Sequence, residues 1–216
     1  MRHDPHQLLL FDEPVSLPTT SRARARLLPD KFFFGVRPPT AMAPIVAQLG
    51  ATLASQHGGV PLNAGNLHIS LNGIGAYATI PHDIINHAVT MAASVTTAPF
   101  EVVFDRFLTW GRGQSRPTVL RCASGEAELK ALYAAIYAAM TRGGLSAKAA
   151  PGVPHMTLLY GGAVLPEQHL PQPFGWCVDR FYLIHSIHGT RRHELRAEWS
   201  LKGASTDPPN APGLLF

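Results

Sequence analysis

The chain has 216 residues, 46% hydrophobic and 15% charged, with a formal net charge of +4. These values fit one large domain or two closely packed lobes around a sizeable core, and exclude a disordered chain. Two distant cysteines, Cys122 and Cys177, exclude a disulfide framework or zinc knuckle, and no apolar run is long enough to span a bilayer.

Residues 1–29, with four prolines and the run Arg22-Ala23-Arg24-Ala25-Arg26, are expected to form an arm outside the core. Its apolar stretch Leu8-Leu9-Leu10-Phe11 is closed at once by Asp12-Glu13-Pro14, so no signal peptide is expected, and the expected setting is reduced and cytoplasmic. A first strand covers 31–36 and ends at Arg37-Pro38-Pro39. Thr40 can cap a helix with Met42, Ile45, Val46, Leu49 and Leu53 on one face, stopped by Gly58-Gly59. A strand holding His68 and Ser70 follows, then a turn beginning at Asn72-Gly73. The pattern next predicts a helix over 81–95, an alternating strand over 100–110, a glycine-bearing loop and a strand over 118–122. The clearest helix covers 126–141, where Leu129, Leu132, Tyr133, Ile136, Tyr137 and Met140 share a face. A strand with His155 and Thr157 closes at Gly161-Gly162, and a proline-rich connection leads to two alternating stretches, 176–187 and 192–202, joined as a hairpin through His188-Gly189-Thr190. Residues 203–216 read as a tail, leaving 30–202 as the folded domain.

One short pattern occurs twice. Asn66-Leu67-His68-Ile69-Ser70-Leu71 and Pro154-His155-Met156-Thr157-Leu158-Leu159 both place a histidine two positions before a hydroxyl residue inside an apolar run. Strand side chains alternate, so each histidine shares a face with its hydroxyl while the leucines point the other way. The contexts also match: strand, arginine, helix, histidine strand, with 31 positions from Arg37 to His68 and 34 from Arg121 to His155. Two such halves would set their histidines about a shared cleft.

Two imidazoles suit a reaction that removes one proton and delivers another near neutral pH, and two hydroxyls can donate to oxygens gaining negative charge. Phosphodiester cleavage fits that inventory without a metal or cofactor. No His-Glu-x-x-His helix or paired cysteine motif points to zinc, and there is neither a phosphate-binding glycine loop nor a Lys-x-Asp-Gly motif. His185, His188 and His193 offer a rival metal cluster or simply turn histidines.

Phe33-Phe34-Gly35-Val36 leading to Pro38-Pro39, the two histidine motifs and the closing Trp199-Ser200-Leu201 together resemble the two-histidine phosphoesterase superfamily, in the layout of the bacterial 2′-5′ RNA ligase / RNA 2′,3′-cyclic phosphodiesterase branch. The resemblance spans 31–202. It implies an α+β fold of two pseudo-symmetric β-α-β-type lobes, with antiparallel sheets flanking a V-shaped cleft and helices outside. His68 and His155 would be the general acid–base pair, and Ser70 and Thr157 would hold the phosphate. The implied substrates are RNA 2′,3′-cyclic phosphate ends or cyclic nucleotides, opened to 2′-phosphates, with reversible ATP-independent 2′-5′ ligation in some members. Where the RNA branch often has arginine after the second motif, this chain has Tyr160, an ending closer to small cyclic-nucleotide phosphodiesterases.

Arg37 and Arg121, at matched strand positions, and Tyr160 are further candidates for substrate contact. A non-catalytic nucleotide- or RNA-binding module on the same fold is the alternative. A monomer is expected, and no membrane partner. The arm segment Gln7-Leu8-Leu9-Leu10-Phe11 resembles the peptide by which bacterial proteins dock onto the DNA sliding clamp, and it could equally pack on its own domain.

Overall fold

The computed structural model describes residues 29–146 and 152–203. The arm, including Gln7 to Phe11, and nearly all of the tail lie outside the described residues.

The elements run β1 (Asp30–Val36), α1 (Ala43–His57), β2 (Val60–Pro61), a single 3-10 turn at Ala64–Asn66, β3 (Ile69–Tyr77), α2 (His82–Ala92), β4 (Phe100–Thr109), β5 (Pro117–Ser124), α3 (Glu126–Arg142), β6 (His155–Tyr160), β7 (Gln168–Val178), β8 (Arg180–Ile187) and β9 (Arg192–Ser200). All described strand pairings are antiparallel, in the order β7-β4-β5-β6-β3-β1-β8-β9, with β2 added to β6. That order is a mirror about the β6–β3 seam. Outward from the seam each half has a histidine strand, the strand that begins its β-α-β unit, and two more. The fold is α+β, two four-stranded halves joined where Ile69 pairs with Met156.

The helices knit the halves together. α1, from the first β-α-β unit, packs on β6 of the second, while α3 of the second packs on β3 of the first. The approach is close at Gly50, where an added Cβ would lie 3.0 Å from the Leu158 carbonyl oxygen, so only glycine fits without displacing the strand. Ile69, Met156 and Leu158 are fully buried on this side. Burying each such side chain contributes about 1.5–3 kcal/mol, so the strands that carry the histidine motifs are anchored from behind. Alternation sends His68, Ser70, His155 and Thr157 to the opposite face.

Several sequence expectations shift. The strand after His68 does not turn at Asn72-Gly73 but continues to Tyr77. Phe33 pairs with Gly73 and Gly35 with Ser70, so one extra residue in β3 makes a bulge that a turn signal mimics. The proline-rich connection is partly a strand: Pro171 and Pro173 sit in β7, at the sheet edge, where a missing N–H costs no ladder bond. The stretch 176–187 is two strands broken at Asp179, because β7 pairs with β4 in one half and β8 with β1 in the other. Ile45, placed on the inner face of α1, is 60% exposed, and Gly50 takes the buried position instead.

Candidate functional site

Both histidines are fixed in the same way. His68 Nδ1 donates to the Asn66 carbonyl at 2.7 Å, and His155 Nδ1 donates to the Val153 carbonyl at 3.0 Å, two residues back in each case. A carbonyl can only accept, so each neutral ring carries its proton on Nδ1 and keeps a lone pair on Nε2. Both rings are half-buried.

Each histidine has an arginine on the neighbouring strand. Arg121 is the Cα partner of His155 across β5 and β6. Arg37 directly follows Val36, whose partner Ile69 directly follows His68, so it holds the matching place in the other half. Arg121 is mid-strand, not strand-terminal as expected, since β5 runs on to Ser124. Arg37 donates to the Gly65 carbonyl at 2.8 Å, and Arg121 lies 3.5 Å from the Glu126 carboxylate. Aromatic rings pack on both imidazoles. Phe33 lies 5.0 Å from His68, and Trp110 meets His155 edge-on at 4.5 Å with the Arg121 guanidinium 5.6 Å over its ring.

Burial pushes the His68 imidazolium down to about 3, helped by the charges of His193, His155 and Arg37 and opposed by the bond to Asn66. Burial lowers His155 too, with Arg121 adding to the effect and the Val153 carbonyl opposing it. A charge on His155 thus disfavours a proton on His68 across the seam.

A cavity of about 570 Å³ opens beside His68, walled by β2 (Val60, Pro61), by Gln114 and Ser115 from the β4–β5 loop, and by Tyr160, Ser186, Arg191 and His193. It draws on both halves and brings Tyr160, 44% exposed, to the same space as His68. Arg37 lines a second cavity of about 670 Å³ with Tyr182 and Glu198. Ser70 is half-buried and Thr157 buried, each on its histidine's face.

The proposed His185/His188/His193 cluster dissolves. His185 is buried between Asp30 and Arg196, and among the described residues no group of three or more His, Cys, Asp or Glu could hold a metal ion. His193 instead joins the site, its ring 4.9 Å from that of His68. Sequence reasoning missed this, and it missed Trp110 and the Asn66 side chain. No local pattern marks them, because all three are brought in by register and by a crossing loop.

The model of the 2′-5′ RNA ligase superfamily matches residues 38–190. The chain belongs to that superfamily. Among solved structures it is similar to Escherichia coli LigT complexed with 3′-AMP, at 21% identity and a TM-score of 0.64, covering 80% of this chain and 98% of that one. LigT complexed with phosphate aligns at 20% identity and TM-score 0.60, covering 81% and 98%. TT0787 of Thermus thermophilus aligns at 16% identity and TM-score 0.63, covering 80% and 98%. These likenesses establish the shared fold. Comparison with curated protein sequences finds no match. Among the described residues no helix is long and apolar enough to cross a membrane.

Proposed function

We propose that the protein is a metal-independent phosphodiesterase that opens 2′,3′-cyclic phosphate ends of RNA or nucleotides to 2′-phosphates. The observation that carries this reading is the doubled arrangement of imidazole, fixed tautomer and adjacent arginine about one seam. In each of these two rings Nε2 is the nitrogen left for chemistry, and Arg37 and Arg121 supply positive charge to each side of a phosphate.

The anionic substrate completes the electrostatics. Without an anion, burial and the arginines keep both rings neutral. A phosphodiester at the seam offsets that penalty and lets one ring take a proton, while repulsion between the rings keeps the other neutral. The neutral Nε2 removes a proton from the attacking water as its oxygen bonds to phosphorus. The protonated Nε2–H of its partner gives its proton to the departing 3′ oxygen as the P–O bond breaks. Ser70 and Thr157 hydroxyls donate to the non-bridging oxygens as they gain charge. With a ribose 5′-hydroxyl in place of the attacking water, the same steps would join a 2′-5′ linkage without ATP, the 3′ oxygen again departing with the proton. Tyr160, on the cavity wall, offers a ring face for the base. That LigT has been seen with 3′-AMP and with phosphate supports a nucleotide phosphate as the ligand class.

The test is hydrolysis of the four 2′,3′-cyclic nucleotides and of short RNAs with cyclic ends, in excess EDTA, with the product phosphate position read by NMR. Chelator-resistant formation of 2′-phosphate is expected. Absence of turnover on the whole panel sinks the proposal, and tight binding without turnover marks a nucleotide-binding module instead.

A further inference from the structure

His193 lies at the start of β9, far in sequence from both motifs, yet its ring meets His68 edge-on, with centroids 4.9 Å apart and planes at 69°. Phe33 completes the cluster, 5.0 Å from His68 and 5.8 Å from His193. We infer that His193 is a positioning residue for His68, covering the edge of that imidazole and tethered to it through Asn66.

Asn66 makes the tether. Its backbone carbonyl accepts the His68 Nδ1 proton, its side-chain Nδ2 donates to the Arg191 carbonyl at 2.5 Å, and its Oδ1 accepts the His193 backbone N–H at 3.2 Å. One residue thus fixes the tautomer of His68 and the place of the strand that carries His193. Arg191 has φ 52°, alone among the described non-glycine residues in the left-handed region, where a side chain costs on the order of 1–3 kcal/mol.

The cover is chemically distinct from that on the other half. His155 is capped by the indole of Trp110, which does not titrate, whereas His68 is capped by a second imidazole. His193 is itself pushed down to about 4, by burial first and then by Arg37. The charged groups facing the pair are Arg37 beyond the end of β1, His155 on β6 and Arg191 on the cavity wall. At neutral pH His193 is uncharged and fills space that water would occupy beside His68; once protonated, its charge adds to the penalty on the His68 imidazolium. Water at that edge would solvate the imidazolium and raise its proton affinity.

The inference rests on the phosphodiesterase reading only for its kinetic arm. The primary measurement is the ring NMR titration of His68 in the full chain, compared with His193→Ala and His193→Phe. In His193→Ala the His68 midpoint should rise toward its ordinary value by about one pH unit or more, as water reaches the ring. His193→Phe keeps the cover and removes only the charge, so the midpoint should rise clearly less than in the alanine variant. Where the alanine variant does not fold, His193→Ser gives the same reading. An unmoved midpoint in the alanine or serine variant overturns the inference, as does an equal rise in the phenylalanine variant. With a 2′,3′-cyclic nucleotide, the acid limb of kcat/KM should move up with the midpoint. Loss of all activity on cyclic phosphates in the unaltered protein would sink the phosphodiesterase reading and leave the outcome of the ring titration standing.

Discussion

Arg121 on β5 is the antiparallel partner of His155 on β6, and Arg37 stands in the equivalent relation to His68. The two cations differ in what they already hold. Arg121 has Glu126 at 3.5 Å, whereas Arg37 forms no ion pair among the described residues and bonds only the neutral Gly65 carbonyl. Arg37→Ala should therefore raise KM for a cyclic phosphate more than Arg121→Ala does, by roughly tenfold or more if a charge-assisted contact of about 1.5–3 kcal/mol is lost. Each change should also raise the proton affinity of its own histidine, because each arginine disfavours that imidazolium. Unchanged KM in both variants would remove the arginines from the site.

Replacing either histidine removes a proton-transfer group, and kcat should fall by roughly 10²–10⁴ for His68→Ala and for His155→Ala. Ser70→Ala and Thr157→Ala should cost less, since water can partly replace a hydroxyl donor. The pH–rate profile should be bell-shaped. A histidine variant with nearly full activity would show that the two halves do not work as a pair.

Phosphate binding should take up protons. Both imidazoles are depressed in the free protein, and an anion between them stabilises the charged form, so the bound state holds more protons than the free one. Calorimetric titration with inorganic phosphate or a 2′-nucleotide near pH 6.5, in buffers of different ionisation enthalpy, measures this directly. Up to about one proton per site is expected, since repulsion between the rings limits the pair to a single charge. A binding enthalpy that does not depend on the buffer would show that the ligand lies away from the histidines.

The helices, the main strands and the paired motifs are legible in the sequence because they follow local periodicity. Leu129, Leu132, Ile136 and Met140 share one buried face of α3, and His68 and His155 stand apart from their apolar neighbours. Illegible were the features set by register. The bulge opposite Phe33 hides a continuing strand behind Asn72-Gly73. The break at Asp179 exists only because β7 and β8 pair in different halves. His193 reaches His68 because β9 lies beside β8 and Asn66 crosses to it, and nothing within a few residues of His193 encodes that meeting.

Asp30 and His185 provide the last prediction. Asp30 opens β1 and accepts the His188 backbone N–H at 2.9 Å on one oxygen, while the other lies 2.7 Å from His185 Nε2. His185 Nδ1 accepts from Arg196 at 2.6 Å, which leaves its ring proton on Nε2, donated to the carboxylate. The ring is buried and stacks 4.3 Å from Phe32. The network ties β1 to the hairpin that bears His193. The His188 N–H, then His185, hold the Asp30 carboxyl below its usual 3.8 against the opposing effect of burial. A carboxylate whose folded pKa is depressed stabilises the fold above its unfolded value, and that contribution is lost as pH falls through the folded pKa. Asp30→Asn keeps the shape, removes the charge and leaves one acceptor where there were two, so at pH 7 it should lower unfolding free energy by about 1–3 kcal/mol, the cost of weakening hydrogen bonds to a charged group. The gap between the two proteins should begin to narrow as the pH falls below 3.8, where the unfolded chain takes up the proton, and close once the pH is below the lower folded pKa. Denaturant unfolding of both proteins at neutral pH and near pH 3 decides it, and a gap of the same size at both would show that the charge on Asp30 contributes nothing.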